Sequence, residues 1–346
     1  MFFQMALNHK PELAFDGSTE DDFRSWKKEA YPRVLATLGD FPKRVPLNPQ
    51  LLAEWEHDDL IKQRWVIDVG EYISAALVVA MPKGLRAGEK RPGILCWHGH
   101  GRYGKEPVMG NDTSPGMLED IQRMNYNYGH QMAKAGFVTF GIDWIGAGER
   151  NDDKWPNSIS RDPEKDNWCD KYYLNATMLG MTSLSINITH GMAAVDFACT
   201  LSQVDPERLG VMGLSGGGTM TLWSAYCDER LKAAEIICYS DVFPVFLIRD
   251  LNACGMQVAP GLFKLANLHD IQGLLAPKPL LIDIGVYDTC FHVDTALECY
   301  RNVERIYKAA GASDRLELDY FPGEHQWGGN KSREFFGKYL QASDSK

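Results

Sequence analysis

The segment from Leu209 to Gly218 constrains the fold of this chain more than any other stretch. Its apolar residues end at Gly213, Ser215 follows two positions later, and three glycines come next. This order predicts a buried strand that breaks sharply into a helix, with Ser215 at the apex of the turn. Glycines suit such a turn, because larger flanking side chains would collide across it. We therefore interpret the segment as a G-x-S-x-G nucleophile elbow, which presents a serine hydroxyl to a substrate carbonyl.

The residues around the motif provide the local context that an elbow requires. Residues 204–208 form a polar turn before the strand, and residues 219–225 contain neither Pro nor Gly and can be helical. The pentapeptide alone is a weak signal, since a strand-to-helix turn can need small residues for packing only. The stronger test is whether an acid and a histidine follow in the order typical of elbow enzymes.

An acid and a histidine do follow Ser215 in that order. Asp288 comes just after a predicted strand, and His325 lies in a Gly-rich loop after the last predicted strand. Asp288 can accept a hydrogen bond from His325 and hold the tautomer whose other ring nitrogen faces Ser215. Asp294 is an alternative acid, and Asp283 is a poorer one because it lies inside the strand. The alternative interpretation of His325 is an ordinary histidine in a surface loop.

A tetrahedral intermediate also needs hydrogen-bond donors for its oxyanion. The backbone N–H of Gly216, directly after the nucleophile, is the first candidate. The second comes from the run His98-Gly99-His100-Gly101, which follows an apolar strand and whose glycines let an N–H turn toward a ligand. We expect the His100 N–H to be this donor, with Gly101 next, and we expect His98 to support the loop.

The same loop formally matches a dinucleotide-binding pattern at Gly99, Gly101 and Gly104. That pattern requires a helix to open inside the motif. Residues 105–108 contain a proline and Gly110 follows, so we expect no helix and no nucleotide site here.

Predicted strands and helices alternate along most of the chain. The strands are 64–69, 73–81, 93–97, 137–143, 209–213, 234–239, 280–285 and 316–321, and the helices are 128–135, 184–201, 219–225, 295–310 and 332–341. This alternation predicts an α/β fold with a mostly parallel, eight-stranded sheet and helices on both faces. The first two strands predict an antiparallel hairpin at one edge. We expect residues 1–60 to form a helical extension packed on a catalytic domain of residues 61–346.

Two long segments without predicted regular structure, 98–127 and 144–178, are rich in polar residues, Trp and Gly. Loops of this length in a compact domain usually have a function, so we expect them to form walls or a small cap over the site. The candidate substrate-binding residues are Arg102, Trp144, His292 and Trp327. The two loops add further aromatic and basic candidates, which are Tyr103, Lys105, Arg150, Trp155, Arg161, Trp168, Tyr172 and Tyr173. The alternative role for any of these loop residues is to close the cap and face water.

The composition argues against several classes of partner. The formal net charge of -10 disfavours nucleic acid and anionic membranes, and no apolar run reaches the roughly 18 residues of a membrane span. The eight cysteines form no C-x-x-C pair, and no Cys or His spacing indicates a metal site, so we expect neither metal nor cofactor. Cysteines in apolar runs and a first segment unlike a signal peptide predict a cytoplasmic protein. The expected partner is a small-molecule ester, and a homo-oligomer is compatible with the sequence.

Together these motifs resemble those of the α/β-hydrolase superfamily. The matching segments are His98–Gly101, Asp143–Gly148, Val204–Leu209, Gly213–Gly218, Ala276–Leu281 and Gly323–His325, and they span roughly residues 60–340. Within the superfamily, the chain is similar to the acetyl xylan esterase-like and dienelactone hydrolase-like branch. The resemblance implies a serine hydrolase that cleaves a small-acyl or sugar-acetate ester through an acyl-enzyme.

Other functions stay open at this point. The same machinery can cleave thioesters, lactones, amides and some carbon–carbon bonds beside a carbonyl, because substrate choice depends on the surrounding loops. A non-catalytic binding protein that keeps the fold is the alternative of a different class.

Overall fold

The computed structural model describes residues 1–150 and 168–340, and within these ranges nine strands form one sheet. The strands are β1 (Gln50–His57), β2 (Leu60–Gly70), β3 (Ile73–Pro82), β4 (Arg91–Trp97), β5 (Val138–Ile142), β6 (Val204–Leu214), β7 (Leu231–Ile237), β8 (Leu280–Gly285) and β9 (Leu316–Phe321). Their order across the sheet is β1-β2-β3-β5-β4-β6-β7-β8-β9. Strands β4 to β9 run parallel to one another, and β1 to β3 form an antiparallel meander that joins the sheet at β5.

Helices cover both faces of this sheet. They are α1 (Phe2–Leu7), α2 (Glu20–Ala36), α3 (Lys105–Val108), α4 (Pro115–Met124), α5 (Tyr128–Lys134), α6 (Trp168–Met178), α7 (Ser183–Thr200), α8 (Gly216–Cys227), α9 (Leu262–Leu265), α10 (Leu268–Gly273), α11 (Val293–Ala309) and α12 (Ser332–Leu340). Residues Pro244–Arg249 form a turn of π-helix. The fold is the predicted α/β-hydrolase arrangement, with a mostly parallel sheet between two helical layers.

Each face of the sheet has its own apolar core, because successive strand residues point to opposite faces. In β6, Val211 packs in the core that includes α7 and α8, whereas Met212 packs in the core that includes α5 and α12. All six residues of β8 are buried. Strands covered on both faces read as continuous apolar runs, which is why the sequence revealed them.

The prediction of a wholly helical extension over residues 1–60 is wrong for residues 50–57, and the sheet has nine strands instead of the predicted eight. These residues form β1, which pairs with β2 from Gln50 opposite Val66 to His57 opposite Leu60. Seven of the eight β1 side chains are exposed. Because neither face of β1 is buried, the apolar–polar alternation that identifies a half-buried strand is missing. Residues 20–36 are helical as expected, and a capping box at Thr19 begins that helix.

The two segments predicted to lack regular structure contain helices. Segment 98–127 includes α3 and α4, and segment 144–178 includes α6. The expectation that residues 105–108 cannot be helical is also wrong, since α3 is a single turn that contains Pro107. Proline is tolerated there because the first N–H groups of a helix have no intrahelical partner. Residues 151–167, with the candidates Trp155 and Arg161, lie outside the described residues.

Within the described ranges, no helix combines the length and apolarity needed to cross a membrane.

Candidate active site

Ser215 occupies the sharp turn between β6 and α8. Its backbone has φ 60° and ψ -118°, a strained conformation for a residue with a side chain. The Ser215 N–H donates a hydrogen bond to the Ile237 carbonyl at the end of β7, at 2.8 Å, which fixes the turn against the neighbouring strand. The side chain is partly exposed, and its hydroxyl has no hydrogen-bond partner among the described residues.

Glycines bring the elbow into backbone contact with the end of β4. A Cβ on Gly217 would lie 2.2 Å from the Trp97 carbonyl oxygen, and one on Gly213 would lie 2.7 Å from the same atom. A Cβ on Gly99 would lie 2.7 Å from the Leu214 carbonyl oxygen. Real side chains do not approach this closely, so the glycines allow the loop after β4 to lie directly against the nucleophile turn.

Asp288 and His325 meet as the sequence predicts. The His325 Nδ1 lies 2.8 Å from Asp288 Oδ2, while Asp288 Oδ1 accepts the N–H groups of Cys290 and Phe291 at 2.7 and 3.0 Å. Burial alone would raise the pKa of Asp288, but the hydrogen bond from His325 and these backbone donors hold that pKa below its ordinary value. An ionised Asp288 accepts a hydrogen bond from the Nδ1–H of His325, which leaves Nε2 as the ring nitrogen that can accept a proton.

The serine and the histidine flank the same strand end. Cys238 follows Ile237, which holds the Ser215 backbone, and its Sγ lies within 4.8 Å of an Asp288 oxygen and a His325 ring nitrogen. The His325 ring stacks on Phe291 at a centroid distance of 5.8 Å and an interplanar angle of 14°. The backbone of Ser215 therefore contacts the last residue of β7, and the Asp288–His325 pair lies beside the residue that follows it.

The two alternative acids lie elsewhere. Asp294 is exposed in the first turn of α11. Asp283 is buried within β8, and its neighbours are Glu235 and Asp319.

The predicted oxyanion donors lie beside the elbow. The N–H of Gly216 opens α8 and has no intrahelical partner, as at every helix start, and the helix dipole favours negative charge at this end. A Cβ on Gly216 would lie 3.0 Å from the His100 ring and 2.9 Å from the Trp144 ring. The His100 ring therefore lies beside the N-terminus of α8, and His100 and Gly101 are both exposed.

His98 supports the loop, as predicted. Its ring is buried, Nε2 accepts the Trp144 N–H at 3.1 Å, and Nδ1 therefore carries the proton and donates to the Gly99 carbonyl at 2.7 Å. Burial lowers the pKa of His98 to about 4, so the ring is neutral at pH 7.

Several predicted substrate-binding residues have structural roles instead. Lys105 is fully buried, and its Nζ donates to Asp143 at 2.8 Å and to Glu149 at 2.6 Å. Arg150 donates to the Asp143 carbonyl at 2.9 Å. The Lys105 bonds hold the loops after β4 and β5 together, whereas the Arg150 bond lies within the loop after β5. Both side chains thus have structural roles in place of the predicted substrate contact.

The prediction that Trp327 contacts substrate is also wrong. Only 4% of Trp327 is exposed, and its Nε1 donates to Glu235 Oε1 and to Ser332 Oγ, both at 3.0 Å. His292 is about half exposed, and its Nε2 lies 3.4 Å from Asp250. The position of Trp327 two residues after His325 predicts a pocket residue. In the structure its indole N–H instead donates to the buried carboxyl group of Glu235.

Arg102 and Trp144 do line a cavity. This cavity of about 100 Å³ lies between the loops after β4 and β5. Its lining comprises residues 98–102 and 144–148 with Cys169 and Met256. The indole Nε1 of Trp144 is buried and has no hydrogen-bond partner among the described residues. The cavity provides room for a small group next to the predicted oxyanion donors.

A buried carboxyl cluster on the adjacent strands is the main feature that sequence reasoning missed. Glu235 of β7, Asp283 of β8 and Asp319 of β9 are each 3% exposed or less. Burial raises the pKa of Glu235 to about 7 and raises that of Asp283 well above its ordinary value. Asp283 therefore keeps its proton beside Glu235. Acidic residues inside otherwise apolar strands are the sequence feature that could have indicated this cluster.

This cluster anchors the loop that carries His325. Glu235 accepts hydrogen bonds from Trp327 and Ser332, at 3.0 and 2.6 Å. Asp319 accepts two from Asn330, both at 3.0 Å. The anchored residues begin two positions after His325, so the cluster sets the course of the histidine loop.

Comparison with known proteins agrees with this fold. Residues 1–222 match the sequence profile of the Abhydrolase family, and this range includes the elbow and the His98–Gly101 loop. The chain belongs to the Abhydrolase family. A Bacillus subtilis (strain 168) protein named "Putative hydrolase YtaP" is 25% identical over 294 residues, which cover 83% of this chain and 90% of that protein.

Solved structures share the architecture of this Abhydrolase family chain. A Bacteroides fragilis protein described as a "putative acetyl xylan esterase" has a TM-score of 0.72 at 19% identity, with 92% of this chain and 81% of the other covered. A glucuronoyl esterase from Solibacter usitatus has a TM-score of 0.69 at 14% identity, with 96% and 97% covered. At these identities the likeness establishes a common fold.

Proposed function

We propose that this Abhydrolase family protein is a serine hydrolase of carboxylic esters. The observation that carries the proposal is the 2.8 Å hydrogen bond between Asp288 and His325, beside the strand end that also holds the backbone of Ser215. A nucleophile, a base and a residue that orients the base are the parts that acyl transfer through a covalent intermediate requires.

In the first half-reaction, His325 Nε2 takes the proton of the Ser215 hydroxyl while Oγ attacks the ester carbonyl. Asp288 stabilises the resulting imidazolium, and its orientation is fixed by the N–H groups of Cys290 and Phe291. The serine–histidine hydrogen bond forms when substrate binds, since such contacts are often loose without it.

The N–H groups of Gly216 and His100 stabilise the oxyanion, with Gly101 as the alternative to His100. Collapse of the intermediate breaks the bond to the leaving oxygen, and His325 donates its proton to the departing alcohol. Water then attacks the acyl-enzyme with His325 as base, which releases the acid and restores the Ser215 hydroxyl.

We infer that the acyl group is small and that the alcohol or the acid belongs to a carbohydrate. The cavity of about 100 Å³ that His100 and Trp144 line supports the first point. The names of two structural relatives, an acetyl xylan esterase and a glucuronoyl esterase, support the second. Arg102 and Trp144, which line the cavity, are the candidate substrate contacts.

Hydrolysis of p-nitrophenyl acetate by Ser215→Ala tests the reaction type. We expect a loss of at least about 10³-fold in kcat, because the nucleophile is removed. Ser202→Ala, at an exposed position, is the matched control and should retain the rate. Unchanged turnover in Ser215→Ala would reject the proposal.

A substrate panel tests the choice of bond. We expect acetylated sugars and short acyl esters to have a higher kcat/KM than long-chain esters, thioesters, lactones or amides. A clear preference for a thioester or lactone would reassign the same machinery to that class.

We also propose a cytoplasmic location, since all eight cysteines have free thiols. Cell fractionation of the source organism checks it, and recovery of the protein from the medium would contradict it.

A further inference from the structure

Three potential metal ligands from distant parts of the chain meet beside the predicted oxyanion site. His100 lies in the loop after β4, Cys169 in the first turn of α6, and Cys254 in the loop after the π-helical turn. His100 Nε2 lies 3.0 Å from Cys254 Sγ, and all three ligand atoms lie within 4.8 Å of one another. Their separation along the chain is why ligand spacing gave no signal.

The ligand atoms are close enough together to bind one ion. A zinc ion binds thiolate sulfur at about 2.3 Å and imidazole nitrogen at about 2.0 Å, so the tetrahedral ligand atoms of this set lie about 3.5 to 3.8 Å apart. The observed separations reach this range with small side-chain movements. The two thiols and the ring therefore match the donor set of a Cys₂His centre.

Solvent can reach this cluster, unlike the structural thiols of the core. His100 is exposed, and Cys169 and Cys254 are partly buried. By contrast, Cys96, Cys238 and Cys299 are at most 2% exposed within the sheet and its helices. An ion could enter the cluster from the cavity that His100 and Cys169 line.

The backbone around the ligands is already ordered. The Gly255 N–H donates to Asp170 Oδ1 at 2.7 Å, which ties the Cys254 loop to the helix that carries Cys169. A Cβ on Gly255 would lie only 2.3 Å from the Tyr173 Cβ, so this loop packs directly on α6. Binding an ion would need little rearrangement of the chain.

We propose that His100, Cys169 and Cys254 form a binding site for a thiophilic divalent cation, of which Zn²⁺ is the representative. Three protein ligands leave one coordination position for water or a substrate oxygen. The ion would fix the His100 ring over Gly216 and so couple metal binding to the loop that holds the predicted oxyanion donors. The site does not depend on ester hydrolysis, so its test and that of the proposed function can fail separately.

Other groups of potential ligands are weaker candidates. His57, Asp58 and His130 also cluster, but Asp58 pairs with Lys134 at 3.6 Å, and this ammonium group would repel a cation. The group around Cys238 belongs to the active site already described.

Cobalt binding tests the proposal on the full chain. The reduced protein is stripped with a chelator and titrated with Co²⁺ without oxygen, while the near-ultraviolet thiolate-to-cobalt band is recorded. We expect one equivalent of Co²⁺ to bind and to produce this band. Added Zn²⁺ should displace the bound Co²⁺ and remove the band. In Cys169→Ser and Cys254→Ser the band should weaken or vanish and the affinity should fall at least tenfold.

Cys199→Ser is the matched control, because this thiol lies in α7 outside the cluster, and it should bind Co²⁺ as the original chain does. Absence of a thiolate band, or a band that survives unchanged in both cluster variants, would overturn the proposal. Peptide mapping could instead show a disulfide between Cys169 and Cys254. That result, with no Co²⁺ binding after reduction, would overturn the metal-site proposal and identify the two cysteines as a redox-active pair.

Discussion

At Asp288 the two carboxylate oxygens have separate roles. Oδ1 accepts the N–H groups of the following turn, and Oδ2 accepts His325. The aspartate is thus fixed to its own loop before it orients the histidine. The nearby Asp294 is not the partner of His325, because it faces solvent from α11.

Asp288→Asn should lower kcat on p-nitrophenyl acetate by about 10³ to 10⁴-fold, because an amide favours the wrong tautomer of the histidine. The protein should remain folded, since the amide oxygen can still accept the turn N–H groups. Asp294→Asn is the matched control and should stay within about twofold of the original rate. Equal effects of the two substitutions would contradict the assignment of the acid.

The histidine loop is the element that joins the active site to the buried carboxyl cluster. Gly285 lets this loop pass close to the end of β8, because a Cβ there would lie 2.3 Å from the Glu324 carbonyl oxygen. Trp327, Asn330 and Ser332 then attach the loop to Glu235 and Asp319. The position of His325 thus depends on contacts with three strands.

Trp327→Phe should destabilise the protein by about 1 to 3 kcal/mol more than a comparable Trp-to-Phe change, because a buried carboxylate loses a donor. Trp97→Phe is that comparison, since the Trp97 indole N–H is buried without a partner among the described residues. Urea unfolding measures both. We also expect kcat of Trp327→Phe to fall while KM changes little. Equal losses of stability in the two variants would contradict the anchoring role.

Sequence patterns identified most elements that face a core on one or both sides. Strands β8 and β9 have the predicted bounds, because the apolar run of β8, the alternating apolar residues of β9 and the flanking turn residues define them. The exposed β1 was missed, since pairing with β2 and not burial makes it a strand. The single-turn α3 was missed because Pro107 suggested a break.

For the site, the chain order of Ser215, Asp288 and His325 was sufficient to propose them. The roles of Trp327 and Lys105 were not accessible in this way. Both depend on acidic partners from other strands and loops, and a single sequence does not reveal which charged groups become buried together.

At the scale of the whole molecule, the sheet keeps acidic groups in its interior. Glu235 and Asp283 are diagonal neighbours on one face of the adjacent strands β7 and β8, and burial raises the pKa of both. The folded protein therefore binds protons that the unfolded chain releases at neutral pH. The stabilisation that this proton uptake contributes is fully present below pH 3.8, the ordinary pKa of an aspartate. It is lost as the pH rises toward the pKa of the folded state.

Asp283→Asn should remove much of this dependence, because the amide is neutral at every pH. Relative to the original chain, the variant should gain up to about 1.4 kcal/mol of stability per pH unit for the one proton involved. Urea unfolding at pH 5, 6, 7 and 8 measures the difference. A constant difference across this range would show that Asp283 does not take up a proton on folding.

The central claim is that Ser215 is a nucleophile activated by His325, and covalent labelling tests it most directly. A fluorophosphonate probe reacts with an activated serine, and mass spectrometry of the digested protein locates the adduct. We predict one adduct per chain on the peptide that contains Ser215, none in Ser215→Ala, and much slower labelling in Asp288→Asn. A folded original chain that gains no adduct, or gains it at another residue, would contradict the account.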